Sequence, residues 1–585
     1  MTGNGKSAVP AGALIMSGGI AITFVPPLSV GTGQASSAKV KYGKSFMSFH
    51  VDDFVGKDRT TLVDAVDAVK DRSSKKPIML YLSLQSITEK DNPLFSAIIR
   101  AAKRGVLSGV NYDEIHRIGS DASLRRDWKG FDAATKALSG VQHPPTIIAM
   151  TATLSSDLLR RFENTTGLDC SDWCRVWGKL ARRNIKIRVT FGHSSTRELK
   201  TVLGKYLAAG QKVVVYTNHA ARAPALYEHC SSVLASRSGG GGGSADGQFH
   251  AACLTGATAP MMKAYLIDAW EAGMEEVGRV FESINLAILI ATDAGDVGLD
   301  SSDCMGVFQE GSFSSKTALV QKMGRIRPKL NSDASLTIFM SVALWAKLLL
   351  RIRSSDGAKG EIQRQERDLA AVLRLLLSES PLCLHQAIED EFRDPKTEAS
   401  TSGRCGSACP CCDLSLGLAA SPVDRAAAER NLRVHFNCAP RSPFQDVVSC
   451  LTAVKLSVFP GSDTNAAHAN SLVLQLISAG ILAYHVEKPK EGASGNGSVL
   501  LSFAVEDDDL AYRTDARWRH IKLTESDSDL DSGASSSSCG TGDSSTSTSS
   551  ESDSDGAYKC KIPEPKQARW CGWGCAKENW GDYVT

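Results

Sequence analysis

The sequence predicts an α/β chain, and three features carry that expectation. Met1-Thr2-Gly3-Asn4-Gly5-Lys6-Ser7 is a Gly-rich turn followed by Lys and Ser, the pattern that opens a helix onto a phosphate group. Asn111-Tyr112-Asp113-Glu114-Ile115-His116 places an acidic pair where a strand would end. Pro145-Thr146-Ile147-Ile148-Ala149-Met150-Thr151-Ala152-Thr153-Leu154-Ser155 is an apolar run of strand type ending in small hydroxyl residues.

In the first element, Gly3 and Gly5 let the backbone approach phosphate without a Cβ in the way. Backbone N–H groups from Thr2 to Ser7 and the helix N-terminus then face the anion, with Asn4 inside the turn. Lys6 would reach the β- and γ-phosphates of ATP, and Ser7 would hold Mg²⁺. The first Gly of the full pattern and the strand that feeds such a loop are missing, so the lobe is expected to be N-terminally incomplete. A chance match is the alternative. In the second element Asp113 would hold Mg²⁺, Glu114 would polarise the attacking water, and His116 would couple the site to a neighbouring segment. An acidic surface loop is the other meaning. In the third, Thr151 and Thr153 would link the nucleotide site to nucleic acid. An ordinary strand before a helix capped by Ser155 or Ser156 fits the same residues.

A fourth element lies far downstream. Ile288-Leu289-Ile290-Ala291-Thr292-Asp293-Ala294-Gly295-Asp296-Val297-Gly298-Leu299-Asp300 precedes Gln321-Lys322-Met323-Gly324-Arg325-Ile326-Arg327-Pro328. Together these resemble motifs V and VI of superfamily 2 helicases, and all four elements stand in the family's order. Within that superfamily the chain most resembles RecQ-type DNA helicases. Residues 17–30, ending Pro26-Pro27-Leu28-Ser29, are similar to motif Ia, and Leu80-Tyr81-Leu82-Ser83 to the strand before motif II. Arg183-Asn184-Ile185 resembles the step into the second lobe, Val213-Val214-Val215-Tyr216-Thr217-Asn218 resembles motif IV, and His250 stands in a Tyr-His-Ala-Gly-like segment.

The resemblance implies two RecA-like parallel-sheet lobes with ATP in the cleft between them. Lys6, Ser7, Asp113 and Glu114 would act from the first lobe, with Gln321, Arg325 and Arg327 from the second. Gly298 and Asp300 would contact the nucleotide, and Thr292 the nucleic acid. It implies 3′ to 5′ movement on single-stranded and branched DNA, and a place in DNA repair or recombination. Three departures weigh against full activity. Ile115 stands where the family has Ala. The DNA-sensing loop keeps only Arg125 and Trp128 of its pattern. Arg327 follows Arg325 by two residues rather than three, so the arginine finger is displaced or refilled. A nucleic-acid-binding protein with a degenerate, inactive motor is therefore the second expectation.

After the lobes, Cys383 precedes Cys405-Gly406-Ser407-Ala408-Cys409-Pro410-Cys411-Cys412. Four thiolates saturate a tetrahedral Zn²⁺, and Cys383, Cys405, Cys409 and Cys412 are the expected set, with Cys411 as substitute. Free thiols or a disulfide knot are the alternative. The arrangement is similar to the RecQ zinc-binding subdomain. Residues 443–456 and 466–479 then carry helical periodicity, and 480–486 and 498–504 read as strands joined by a Lys/Gly-rich loop. Helices followed by a hairpin resemble the family's winged helix, in which Lys488 and Lys490 would meet DNA. A solvated loop is the plainer meaning of the two lysines.

Composition bounds the rest. The 585 residues are 42% hydrophobic with a net charge of +2, so large cores are available and no global basic field advertises nucleic acid. Sixteen cysteines do not form a secreted scaffold, and the absence of a signal peptide or spanning segment points to a reducing compartment and no membrane. The expected domains are 1–180 and 181–350 for the lobes, with a Gly-rich insert at 236–247, 351–420 for the zinc subdomain and 430–523 for the winged helix. Residues 524–557 form an acidic Ser-rich linker expected to be disordered, a composition that acidophilic kinases modify. Residues 558–585 form a Trp/Cys tail suited to a protein partner or a second metal. Such tracts suit a eukaryotic protein, for which a DNA helicase is expected in the nucleus.

Overall fold

The computed structural model describes residues 6–503 except 26–27, 52–53, 55–56, 74–75, 84–91, 122–130, 179–181, 192–193, 239–248, 272–284, 293–302, 328–333, 356–358, 378–382, 393–404, 406–407, 410–411, 413–430, 433–434, 437–440, 454–461, 480 and 488–497. All described elements lie in one compact unit, Met1–Asp531; a second unit, Ser532–Thr585, lies outside the described residues.

The first lobe is built on β1 (Ile20–Phe24), β2 (Met47–His50), β3 (Ile78–Leu82), β4 (Leu107–Tyr112) and β5 (Thr146–Ala149), in the order β2-β3-β1-β4-β5. Every pairing is parallel. The three central strands are buried along their whole length. That is why they read as Ile-Ala-Ile-Thr-Phe and Ile-Met-Leu-Tyr-Leu, near-continuous apolar runs rather than alternating ones. Parallel strands need crossovers, and helices Leu28–Tyr42, Lys57–Asp67 and Pro93–Lys103 are among those that supply them, while helix Ala8–Ser17 leads into β1. The last starts cleanly because Asn92 accepts from the N–H groups of Leu94 and Phe95, with Pro93 at the first helical position. An aromatic cluster fills the space beneath β4: Tyr112 stacks on Phe24 at 5.2 Å and meets Phe131 and Phe162 edge-on.

The second lobe repeats the plan with β6 (Ile185–Phe191), β7 (Lys212–Thr217), β8 (Phe249–Leu254), β9 (Asn285–Ala291), β10 (Cys304–Glu310) and β11 (Ala334–Met340), ordered β6-β11-β10-β7-β9-β8 and parallel throughout. Gly306 in β10 admits the Tyr206 ring: a Cβ there would lie 2.7 Å from it. Helices Val342–Arg353, Lys359–Leu377 and Leu384–Glu391 follow, and no helix of the described residues is long and apolar enough to cross a membrane.

The C-terminal described segment has the anticipated order. Helices Phe444–Ala453 and Ser462–Ser478 precede an antiparallel hairpin of β13 (Leu482–Glu487) and β14 (Ser498–Phe503), to which β12 (Ser442–Pro443) adds a short third strand. This segment does not have a core of its own. Val447, Leu451, Leu472, Leu474 and Leu501 belong to the same buried cluster as the second lobe. Tyr484 meets Trp345 edge-on at 5.2 Å, and Asn470 Oδ1 accepts from the Val342 N–H at 3.0 Å.

Candidate nucleotide site and four-cysteine cluster

The site stands at the carboxyl ends of parallel strands, where open α/β sheets bind ligands. Asp113 and Glu114 leave β4, Thr151 follows β5, and Lys6 precedes the helix Ala8–Ser17. Tyr112, locked in the aromatic cluster and bonded from its hydroxyl to Thr135 at 3.3 Å, fixes where β4 ends. The Asp113 N–H donates to the Phe24 carbonyl at 2.9 Å, so the acidic pair is tied to β1 as well. Glu114 has φ +50°, and it is the one non-glycine residue at positive φ among the described residues. That conformation costs about 1–2 kcal/mol and marks a position held for its side chain.

The side chains are connected. Lys6 Nζ donates to Glu114 Oε1 at 3.2 Å. His116 Nδ1 lies 3.1 Å from Glu114 Oε2 and 2.8 Å from Thr151 Oγ1. Thr151 Oγ1 also receives the Thr153 N–H at 3.1 Å. Asp113 is buried; its Oδ1 accepts the Glu114 N–H at 2.9 Å and its Oδ2 accepts the Gln34 amide at 2.6 Å. Burial and the neighbouring Glu114 charge push the Asp113 carboxyl above the usual range, against the pull of Lys6 and Gln34. Burial pushes Glu114 up too, yet hydrogen bonding and charge from His116 and Lys6 outweigh it and hold that carboxyl well below the usual range. Two adjacent carboxylates thus have opposed tendencies. A divalent cation on Asp113 would remove the cost of its ionisation, and the donor set of a buried carboxylate beside a lysine and a helix N-terminus fits a metal–phosphate pair.

From the second lobe, Gln321 on helix Lys316–Met323 reaches the Nε2 edge of His116. Its neighbour Lys322 is buried, donating to Gln309 Oε1 at 3.0 Å and lying 4.6 Å over the Tyr216 ring, which fixes the helix that presents Gln321. Arg325 and Arg327 both lie near Cys304 at the start of β10. The Arg327 guanidinium is bonded to the Gly324 carbonyl, and its N–H to the Cys304 carbonyl at 2.8 Å.

Lys6, Asp113, Glu114, His116, Thr151 and Gln321 are therefore brought together. Ser7 ends as an exposed N-cap with no side-chain hydrogen bond to its helix. Thr153 and Thr292 are buried. Ser155 caps the following helix, accepting from the Leu158 N–H at 3.3 Å. Thr2, Gly3, Asn4, Gly5, Arg125, Trp128, Gly298, Asp300, Lys488 and Lys490 lie outside the described residues. Sequence reasoning missed Gln34. It sits 79 residues from Asp113, in helix Leu28–Tyr42, and only the fold joins the two.

The four cysteines are brought together, with Cys383 at the N-cap of helix Leu384–Glu391. Sulfurs of Cys383, Cys405, Cys409 and Cys412 all lie within 4.8 Å of one another. Cys383 and Cys409 are 3.8 Å apart, Cys405 and Cys409 3.4 Å. Tetrahedral thiolates at a Zn–S distance of about 2.3 Å would stand about 3.8 Å apart. A disulfide would need about 2.05 Å, and all four are free thiols. Burial and the crowding of neighbouring sulfurs push the Cys405 and Cys412 thiols up. The donor set fits Zn²⁺. The cluster also braces the sheet: the Ala408 carbonyl accepts the Ile187 N–H of edge strand β6 at 2.8 Å.

No protein-family model and no curated protein matches the chain. Similar solved structures include the DUF1998 helicase MrfA bound to DNA and AMPPNP, at 13% identity and a TM-score of 0.37, with 56% of this chain and 42% of that one covered. The helicase Lhr of Mycobacterium smegmatis, bound to ssDNA and AMP-PNP, gives 15% identity, a TM-score of 0.39, and 67% and 50% coverage. Dbp5 of S. cerevisiae, bound to RNA and ADP BeF3, gives 13%, 0.37, and 58% and 77%. The chain spans about half the length of the first two. Likeness of this degree carries no functional argument.

Proposed function

We propose that this chain is an ATP-hydrolysing motor of superfamily 2 helicase type acting on nucleic acid, and more narrowly a RecQ-type helicase moving 3′ to 5′ on DNA. One observation carries the reading. Lys6, Glu114, His116, Thr151 and Gln321, from distant segments and two parallel-sheet lobes, form one connected set of side chains. The narrower identity draws its support from the motif residues, from the four-cysteine cluster that follows the second lobe, and from the helix–helix–hairpin after it, which we read as a winged helix. Nuclear localisation and a role in repair or recombination follow from the same reading.

In this proposal Lys6 leaves Glu114 to hold the β- and γ-phosphates. Glu114, ionised and held by His116, then orients the attacking water. Asp113 would hold Mg²⁺, which would supply charge neutralisation of the phosphates. His116 and Gln321 join the lobes, so their hydrogen bond couples lobe closure to the position of Glu114. A second reading, a nucleic-acid-binding protein without turnover, is favoured by one feature: the Arg327 guanidinium is bonded within its own turn to Gly324.

ATP hydrolysis by the purified chain, with and without single-stranded DNA or RNA, decides between them. DNA-stimulated turnover that is lost in Lys6→Ala and Glu114→Gln supports the motor. RNA stimulation alone would remove the DNA assignment. ATP binding without turnover in the parent would establish the second reading.

A further inference from the structure

We propose that Gln34 is a positioning residue for the cation-holding carboxylate of Asp113, an inference that rests on the nucleotide-site reading above. The Asp113 carboxylate is gripped at both oxygens. Its Oδ1 is held by the Glu114 N–H at 2.9 Å and its Oδ2 by the Gln34 amide at 2.6 Å. Two donors at opposite oxygens fix the rotation of the carboxylate plane and leave the remaining lone pairs in set directions. The backbone donor comes with the strand end. The second donor has to be delivered from elsewhere, and helix Leu28–Tyr42 delivers it.

That helix is held firmly enough for the task. Ala35 and Ala38 are buried in one cluster with Met79 and Tyr81 of β3 and with Val25 just after β1, and the Ala35 carbonyl accepts the Ser48 hydroxyl at 2.9 Å. Gln34 therefore enters from a rigid element. The choice of an amide is chemically specific. A lysine or arginine would also hold the carboxylate, but it would neutralise it and repel the cation. A carboxylic side chain could not donate in its ionised form. A neutral donor fixes Asp113 without competing for its charge. Such outer partners of a metal ligand typically change metal affinity by about 10–100-fold.

The test uses the full chain with Mn²⁺ and the non-hydrolysable analogue AMP-PNP, in parent, Gln34→Met and Gln34→Asn. Met keeps the volume and removes the donor; Asn keeps the amide and withdraws it. Mn²⁺ affinity in the nucleotide complex is read by electron paramagnetic resonance, and AMP-PNP affinity is read separately in EDTA. The expected result is about 10-fold weaker Mn²⁺ binding in both variants, with nucleotide affinity in EDTA and thermal stability unchanged. Parent-like Mn²⁺ affinity in Gln34→Met overturns the proposal. So does a parallel loss of nucleotide affinity and stability, which would make Gln34 merely structural. A parent chain that binds no nucleotide would instead sink the site reading, and the proposal with it.

Discussion

At the scale of single residues, Glu114 is the centre of the connected side chains, bonded to Lys6 and beside His116. Its carboxylate is kept ionised by Lys6 and His116, and its backbone sits at positive φ. Replacement by Gln keeps shape and removes the charge that the proposed motor uses to orient water. Turnover should fall by about 100-fold or more while ATP binding survives, as a comparison of steady-state hydrolysis with nucleotide titration will show. The backbone gives a second prediction. Elsewhere in a chain Ala is usually more stabilising than Gly, but at φ +50° the order should reverse. Glu114→Gly should exceed Glu114→Ala in stability by about 1 kcal/mol in urea unfolding, since both lose the same carboxylate and only Ala retains the Cβ clash. Equal midpoints would show that the backbone relaxes. That Lys6, Asp113, Glu114, His116 and Gln321 come together was legible because each belongs to a short run that stands out in the sequence. Gln34 was not, because its role depends on a helix–sheet docking that leaves no local pattern. Lys322 was not either, since a lysine gives no sequence signal of being caged between Tyr216 and Phe313.

At the scale of elements, strands were the easiest to foresee and the joints between lobes the hardest. Buried parallel strands announce themselves as apolar runs, whereas an ion pair between the first lobe and a helix beyond the second is two ordinary charges until the fold brings them together. Arg161, on helix Ser156–Thr166 of the first lobe, lies 3.5 Å from Glu361 at the start of helix Lys359–Leu377, beyond the second lobe. Glu361 is almost wholly buried and is also held by Arg364 and by Gln365 at 3.1 Å. Removing one partner from such a cluster strands the others. Glu361→Ala should cost about 3 kcal/mol in urea unfolding. A loss under about 0.5 kcal/mol would mean that the cluster behaves as a solvated surface pair. Burial pushes the Glu361 carboxyl up, but Arg364, Gln365 and Arg161 together hold it below its ordinary value of 4.5. A depressed carboxylate stabilises fully above its unfolded pKa and loses that contribution as pH falls through the folded one. The stability gap between parent and Glu361→Gln should therefore be widest near neutrality and close as the pH drops below about 4. Asp368 beside it is pushed up by burial, which is why the difference between parent and variant is the quantity to follow.

At the scale of the whole molecule, the second lobe, its trailing helices and the C-terminal hairpin share one buried core, while the first lobe has its own. The four cysteines stand at the margin of the larger core. Cys383 and Cys409 are part of it, and Ala408, beside Cys409, bonds to Ile187 of β6, the edge strand of the six-stranded sheet. An edge strand needs a cover for its unpaired groups, and here Ala408 supplies one by accepting the Ile187 N–H. Metal binding at the cysteines should thus be felt in one lobe and not the other. The purified chain should carry about one zinc, released by a strong chelator and absent from Cys409→Ser. On metal removal the Ile187 amide should exchange at least about 10-fold faster, a loss of about 1.4 kcal/mol of local protection. Amides of β1 and β4 in the first lobe should keep their rates, because no described contact joins them to the cluster. Uniform acceleration across both sheets would mean that the metal supports the fold globally. Unchanged exchange at Ile187 would mean that the loop holds the strand without it.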